Sequence, residues 1–269
     1  MTPARTRRQQ RFLDRFGPWA VVTGASSGIG RALAGGLAEA GLNLVLVARS
    51  RPRLEALAAS LMAQHGVQVH VIDVDVAHEN HLDTLRLVTD PLDVGLLVAA
   101  AGFGSSGPFL EADIVTETEM LMVNGRAVLQ AAYHFGRRFR ARGRGGLVLL
   151  SSIAGFQGMP YAAHYAATKA YVQSLAEALQ VELHGHGVAV LAAAPGPTHS
   201  GFAARAGLRM ATALEPEAIA QPILSALGRQ ATILPGFLSK FLTYALVPLP
   251  RWARVRIMGM VMQGMAKHP

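Results

Sequence analysis

Ser152, Tyr165 and Lys169 follow one another at spacings of thirteen and four residues, in a stretch that opens on the apolar run Leu147 to Ser151. The run reads as a strand and the segment from Tyr161 as a helix. The hydroxyl therefore lies at a strand end, with the phenol and the ammonium one turn apart on the following helix. A hydroxyl that can donate to a developing oxyanion, a phenol that can exchange a proton and a cation that biases the phenol are what proton transfer to a carbonyl needs. A second group lies upstream, where Thr23-Gly24-Ala25-Ser26-Ser27-Gly28-Ile29-Gly30 joins the apolar run from Trp19 to the helical pattern from Arg31. Gly24, Gly28 and Gly30 let the backbone turn tightly and approach a pyrophosphate, whose charge is met by amides at the helix start; Ser26, Ser27 and Ile29 share that turn.

Asn124 in Val-Asn-Gly and the run Pro195-Gly196-Pro197-Thr198 complete a set of four motifs in order. Together they resemble the short-chain dehydrogenase/reductase family, in its short single-domain branch, from about Gly17 to about Gly236. The resemblance implies hydride transfer between a nicotinamide cofactor and a carbonyl or alcohol, with Tyr165 supplying the proton. It also implies that Lys169 holds the nicotinamide ribose and that Asn124 positions a water joining Lys169 to solvent. Thr198, after Pro195 and Gly196, matches the position that holds the carboxamide. Asp75 and Val76 look like the adenine-contacting pair, with Asp73 a competitor for the acid's role. One departure stands out: the family's Asn-Asn-Ala-Gly after strand four is here Ala99-Ala100-Ala101-Gly102. Gly102 remains on the cofactor floor, but two amides that tie the strand to its neighbours are gone.

In NAD sites of this architecture an acid at the end of strand two binds the ribose 2′-hydroxyl. That position is Arg49, no Asp or Glu occurs between Ala40 and Leu54, and Arg51 and Arg53 are close by, Arg53 reading as a solvated group. A guanidinium suits a 2′-phosphate, so NADP(H) is expected over NAD(H). Loops at Phe103 to Phe109, Gly155 to His164 and Pro197 to Thr212 should border a substrate pocket. They offer Phe103, Phe109, Phe156, Met159, Phe202 and Met210, with Tyr161 as a wall, which suits an apolar ketone or aldehyde. His164 points off the shared helix face and reads as structural; His199 reads as a solvated loop residue.

The elements that must position these groups alternate. Apolar runs of strand length stand near Trp19–Thr23, Leu42–Ala48, Val67–Asp73, Gly95–Ala100, Leu147–Ser151, Ala189–Ala193 and Thr232–Leu234. Helical patterns stand at Gly28–Ala40, Arg51–His65, Glu79–Thr89, Glu117–Arg140, Tyr161–His184 and Pro216–Arg229. The expected fold is α/β: a doubly wound, Rossmann-type parallel sheet of seven strands in order 3-2-1-4-5-6-7, in one domain over residues 17–236. A basic arm (residues 1–16) precedes it and an apolar, basic tail (residues 237–269) follows.

Composition bounds the rest. The 269 residues are 51% hydrophobic, enough for one large core. With no cysteine there is neither disulfide nor thiolate metal site, no metal is expected, and a cytoplasmic location is the default, with a membrane-peripheral one as the alternative. The net charge of +8 is almost wholly arginine, with lysine only at 169, 240 and 267, and aromatics are 6% of the chain. Nucleic-acid binding wants basic residues interleaved with stacking aromatics, so it is not expected. Arg137, Arg138, Arg140, Arg142 and Arg144 should crowd the amino-terminal edge of the sheet, opposite the site, and serve solubility, subunit contact or an anionic surface. A homo-oligomer, dimer or tetramer, is expected. In the tail, Val255, Met258, Met262 and Met265 recur on one helical face, fitted to cap the pocket, a partner subunit or a membrane interface. The rival readings are a protein that senses NADP(H) without turnover and a membrane-peripheral scaffold.

Overall fold

The structure, a computed structural model, describes residues 6–207 and 213–265. Helix α1 (Arg7–Phe16) precedes β1 (Trp19–Thr23), α2 (Gly28–Glu39), β2 (Asn43–Ala48), α3 (Arg51–His65), β3 (Val69–Asp73) and α4 (His81–Thr89). Next come β4 (Val94–Ala99), α5 (Ile114–Leu121), α6 (Ala127–Arg142), β5 (Gly145–Leu150), α7 (Ala163–His184) and β6 (Val188–Ala193). The short α8 (Phe202–Arg205), α9 (Pro216–Ala226), β7 (Thr232–Ile233), α10 (Phe237–Tyr244) and α11 (Arg251–Met265) close the chain. All seven strands pair in parallel in the order 3-2-1-4-5-6-7, as expected.

The continuous apolar runs find burial on both sheet faces. Leu33 and Leu37 of α2, Leu54 of α3 and Ile223 of α9 fill one face. Leu85 of α4, Phe135 and Phe139 of α6 and Val172 of α7 fill the other. Each such side chain contributes roughly 2 kcal/mol by leaving water. Glycines in the left-handed region end α3 (Gly66, φ 66°) and α6 (Gly143, φ 71°), as a helix stop requires. No helix among the described residues is long and apolar enough to cross a membrane.

Three expectations need revision. The single helix read over Glu117–Arg140 is two helices: it starts at Ile114, where Asp113 accepts from the amides of Val115 and Thr116, and a wider π turn interrupts it at Met122–Arg126. The amino-terminal segment read as an arm is helical from Arg7, opened by a reciprocal cap between Thr6 and Gln9, and it buries Phe16 beside β4 and β5. Finally, the arginines in the last turns of α6 and just after it are not simply a charged surface. Arg138 donates to the carbonyls of Thr89 and Leu92, Arg142 to those of Val94 (2.6 Å) and Gly17 (2.7 Å), and Arg144 to that of Asp14. These carbonyls belong to the last turns of α1 and α4, to the connections that follow them and to the first residue of β4, and the guanidinium forks satisfy them.

Candidate active site

At the opposite edge the strand ends and the tail enclose one cavity of about 540 Å³. Its first wall is the turn between β1 and α2. Gly24 (φ 69°) and Gly28 (φ 53°) hold left-handed backbone, and a Cβ on Gly30 would stand 2.4 Å from the Gly24 carbonyl oxygen. Only glycine fits these positions. Gly24, Ser26, Ser27, Gly28, Ile29 and Gly30 all line the cavity, and Ser27 makes no side-chain cap, leaving the first amides of α2 to whatever the cavity holds.

Arg49 lies at the far end with Asp75 and Val76. Its guanidinium stands 3.4 Å from Asp75 and 3.4 Å from Glu119, whose same oxygen lies 3.4 Å from Arg205. The geometry separates two residues that the sequence left open: Asp75 lines the cavity, whereas Asp73 turns to Arg51 at 3.1 Å. Arg53, read as a solvated group, also borders the cavity.

At the centre, Ser152 stands two residues beyond the end of β5. Its hydroxyl oxygen accepts from the Ala154 amide at 3.2 Å, and the hydroxyl bears on the Tyr165 phenol. Tyr165 and Lys169 ride on α7, which is fixed to the sheet edge where Ser151 donates to the Lys169 carbonyl at 2.9 Å. A Cβ on Gly155 would meet that same Lys169 carbonyl group at 2.8 Å, so glycine permits the close approach. The Lys169 ammonium donates to the Leu150 carbonyl at 2.8 Å and stands 5.9 Å from the centre of the Tyr165 ring. Burial pushes the phenol up to about 12, with only the Ser152 hydrogen bond pulling it down, and burial brings the Lys169 amine down to about 8. Burial of both groups thus acts against the bias toward phenolate expected from the Lys169 charge.

Asn124 sits in the π turn and is fully buried. Its amide exchanges two hydrogen bonds with the Phe103 backbone (3.1 and 2.8 Å) and donates to Thr168 at 3.1 Å. It does not line the cavity; it locks the Gly102–Phe103 floor to α7. A Cβ on Gly102 would stand 3.1 Å from the Asn124 oxygen and 3.3 Å from the Lys169 nitrogen. The amides missing at Ala99 and Ala100 are replaced from another strand, since the Thr23 hydroxyl accepts from Ala100 and Ala101 at 3.1 and 3.2 Å. Pro195, Gly196 and Thr198 line the next wall. His164 binds the Glu117 carbonyl through its ring at 3.0 Å, and His199 is exposed.

The apolar end holds Phe103, Met159 and Phe202, the last with its ring 5.1 Å from that of Tyr165. Three expected wall residues lie elsewhere. Phe109 opens its own short turn after Pro108 and is 54% exposed. Phe156 ends the turn Ile153–Phe156, which faces the cavity through Ile153 and Ala154 instead. Tyr161 takes a left-handed backbone (φ 63°), and its hydroxyl accepts from Gln263 of α11 at 2.6 Å, bracing the tail. Met210 lies outside the described residues. In their place the tail supplies Leu242, Met258, Val261, Met262 and Met265, so the face read at Val255 to Met265 covers this cavity. Gly259 lets α11 reach Pro160, where a Cβ would stand 3.3 Å away. Glu119 and Arg205 border the cavity without having been singled out by the sequence; only their charge in loop-flanking segments signals them.

A model of the short chain dehydrogenase family matches residues 18–210. The chain belongs to that family. It is 29% identical over 233 residues to a 7beta-hydroxysteroid dehydrogenase of Clostridium sardiniense, covering 85% of this chain and 89% of that one. The structure of a short-chain dehydrogenase from Sphingobium yanoikuyae in complex with NADPH superposes with a TM-score of 0.76 at 30% identity, over 92% of this chain and 94% of that one. A bulky-bulky ketone specific alcohol dehydrogenase from Comamonas testosteroni gives 0.75 at 29% identity, over 88% and 96%. This short-chain dehydrogenase is thus an oxidoreductase acting on CH–OH and C=O groups with a nicotinamide cofactor.

Proposed function

We propose that this short-chain dehydrogenase interconverts a bulky apolar ketone or aldehyde and its alcohol, using NADP(H) in preference to NAD(H), with Ser152, Tyr165, Lys169 and Asn124 as its working set. The observation that carries the reading is the meeting of Ser152, Tyr165 and Lys169 on the wall of a large cavity that the glycine turn also borders. The glycine cradle, which any Cβ would fill, and the Arg49 guanidinium fit a dinucleotide with a 2′-phosphate; Gly24 to Gly30, Asp75, Val76, Gly102 and Pro195 to Thr198 would hold it. When bound, the nicotinamide supplies or accepts the hydride.

The chain's own residues handle the oxygen. Tyr165, held protonated by burial across the neutral range, gives its proton to the carbonyl oxygen as the alcohol forms. The Ser152 hydroxyl turns its one proton to that oxygen as charge develops there. Lys169 keeps a charge beneath the phenol below about pH 8, and Asn124 positions the floor and α7 relative to each other. The apolar end, walled by Phe103, Met159, Phe202 and the tail methionines, favours a large carbon skeleton. A homo-oligomer is supported by the exposed Ile114, Val115, Leu121 and Tyr133 on α5 and α6.

The test is NADPH and NADH oxidation by purified protein against ketones graded in bulk. Turnover should rise with bulk and favour NADPH. Arg49→Asp should erase that preference, and Tyr165→Phe should lower kcat by about 100-fold or more while NADPH still binds. Equal rates with both cofactors, unchanged by Arg49→Asp, would refute the NADP(H) reading; retained turnover in Tyr165→Phe would refute the assignment of the acid.

A further inference from the structure

The tail has two faces, and the catalytic reading uses only one. Inward, Met258, Met262 and Met265 close the cavity, and the Ser239 hydroxyl accepts from the Gly196 amide at 3.0 Å. Outward, Phe237, Phe241 and Tyr244 recur at helical spacing along α10, 83, 58 and 60% exposed. Trp252 (66%) and Met260 (65%) do the same along α11, with Arg256 between them and its guanidinium 5.5 Å from the Trp252 ring. Aromatic side chains this exposed, on two consecutive helices, are an unpartnered surface.

The charge on this surface has one sign. Between Phe237 and Met265 the sequence holds Lys240, Arg251, Arg254 and Arg256, and no Asp or Glu follows Glu217 anywhere in the chain. Arg254 is occupied by the Leu249 and Val247 carbonyls; Lys240, Arg251 and Arg256 are exposed. A second copy of the same face, brought up across a two-fold axis, would set cation against cation with no acid to answer it. An anionic bilayer surface answers it everywhere. Phe, Tyr and Trp on one side of a short helix, flanked by arginine and too short to span, are the makings of an interfacial anchor.

We propose that α10 and α11 dock this protein on an anionic lipid surface, with Phe237, Phe241, Tyr244 and Trp252 entering the headgroup region and Lys240, Arg251 and Arg256 pairing with lipid phosphates. The same two helices wall the cavity, so the docked face borders the apolar pocket, and a ketone dissolved in lipid meets it there. That delivery rests on the proposed reaction; the docking does not.

Flotation of the full chain with vesicles tests it. Recovery with phosphatidylglycerol-containing vesicles should exceed that with pure phosphatidylcholine by about tenfold at low salt and fall as salt rises. Phe237→Ser combined with Phe241→Ser and Trp252→Ser should abolish it without altering turnover of a water-soluble ketone. Arg251→Glu with Arg256→Glu reads the same surface should the first set unfold. Tyr165→Phe should float like the unaltered protein, which separates this proposal from the catalytic one. Equal recovery on both vesicles, recovery untouched by both variant sets, or a drop in oligomer mass in the aromatic variant would overturn it, the last by showing that a second copy covers the face.

Discussion

Lys169 places an ammonium where the protein excludes water, and its amine falls from an ordinary 10.5 to about 8. Between those values the unfolded chain binds more protons than the folded one, so the unfolding free energy rises with pH across that window. At pH 7 the buried charge costs on the order of 3 kcal/mol. Lys169→Met should abolish turnover yet flatten this rise, and urea midpoints measured at pH 8, 9 and 10 in the two proteins would show it. Tyr165, raised to about 12 from 10, acts in the opposite sense only above pH 10. Thr23 makes a second residue-scale case. Its hydroxyl is the acceptor for Ala100 and Ala101, so Thr23→Val leaves two amides at the cofactor floor unpaired and should cost about 1–3 kcal/mol in denaturant unfolding. The sequence showed that the usual asparagines were missing but not what took their place, because a hydroxyl on a neighbouring strand is invisible until the strands pair.

At the level of elements, alternation of apolar runs and helical patterns made the sheet order and most strand and helix positions legible. What stayed hidden were breaks with no composition of their own. The π turn around Asn124 falls inside an unbroken helical pattern, and the left-handed Tyr161 delays α7 to Ala163 without a glycine to announce it. The arginines at the end of α6 were visible as charge but not as caps, since the free carbonyls of helix ends and connections brought near them carry no sequence signature. Arg142→Met would strip partners from Val94 and Gly17 and should lower stability by about 1–3 kcal/mol with turnover per folded molecule unchanged; thermal melts beside activity assays separate the two. Among site residues, those on the glycine turn, β5 and α7 could be read because strand ends and helix turns fix their direction. Phe109, Phe156 and Tyr161 could not, because loop side chains follow contacts made elsewhere.

Across the whole molecule, Glu119 of α5 ties Arg49, which follows β2, to Arg205 of α8 through a single oxygen on the cavity rim. Glu119→Gln weakens the hold on both, frees Arg49 for a 2′-phosphate and should lower the KM for NADPH severalfold while leaving that for NADH alone; steady-state kinetics with each cofactor decide it. The two chain ends also differ in kind. The first helix is packed at the edge remote from the cavity, whereas Met265, four residues from the end of the sequence, is part of the cavity wall. A purification handle or fluorescent fusion therefore belongs at the amino end. Fused after Pro269, the same handle would begin within a few residues of the reaction chamber, and assays on such a protein would measure the handle as well as the enzyme.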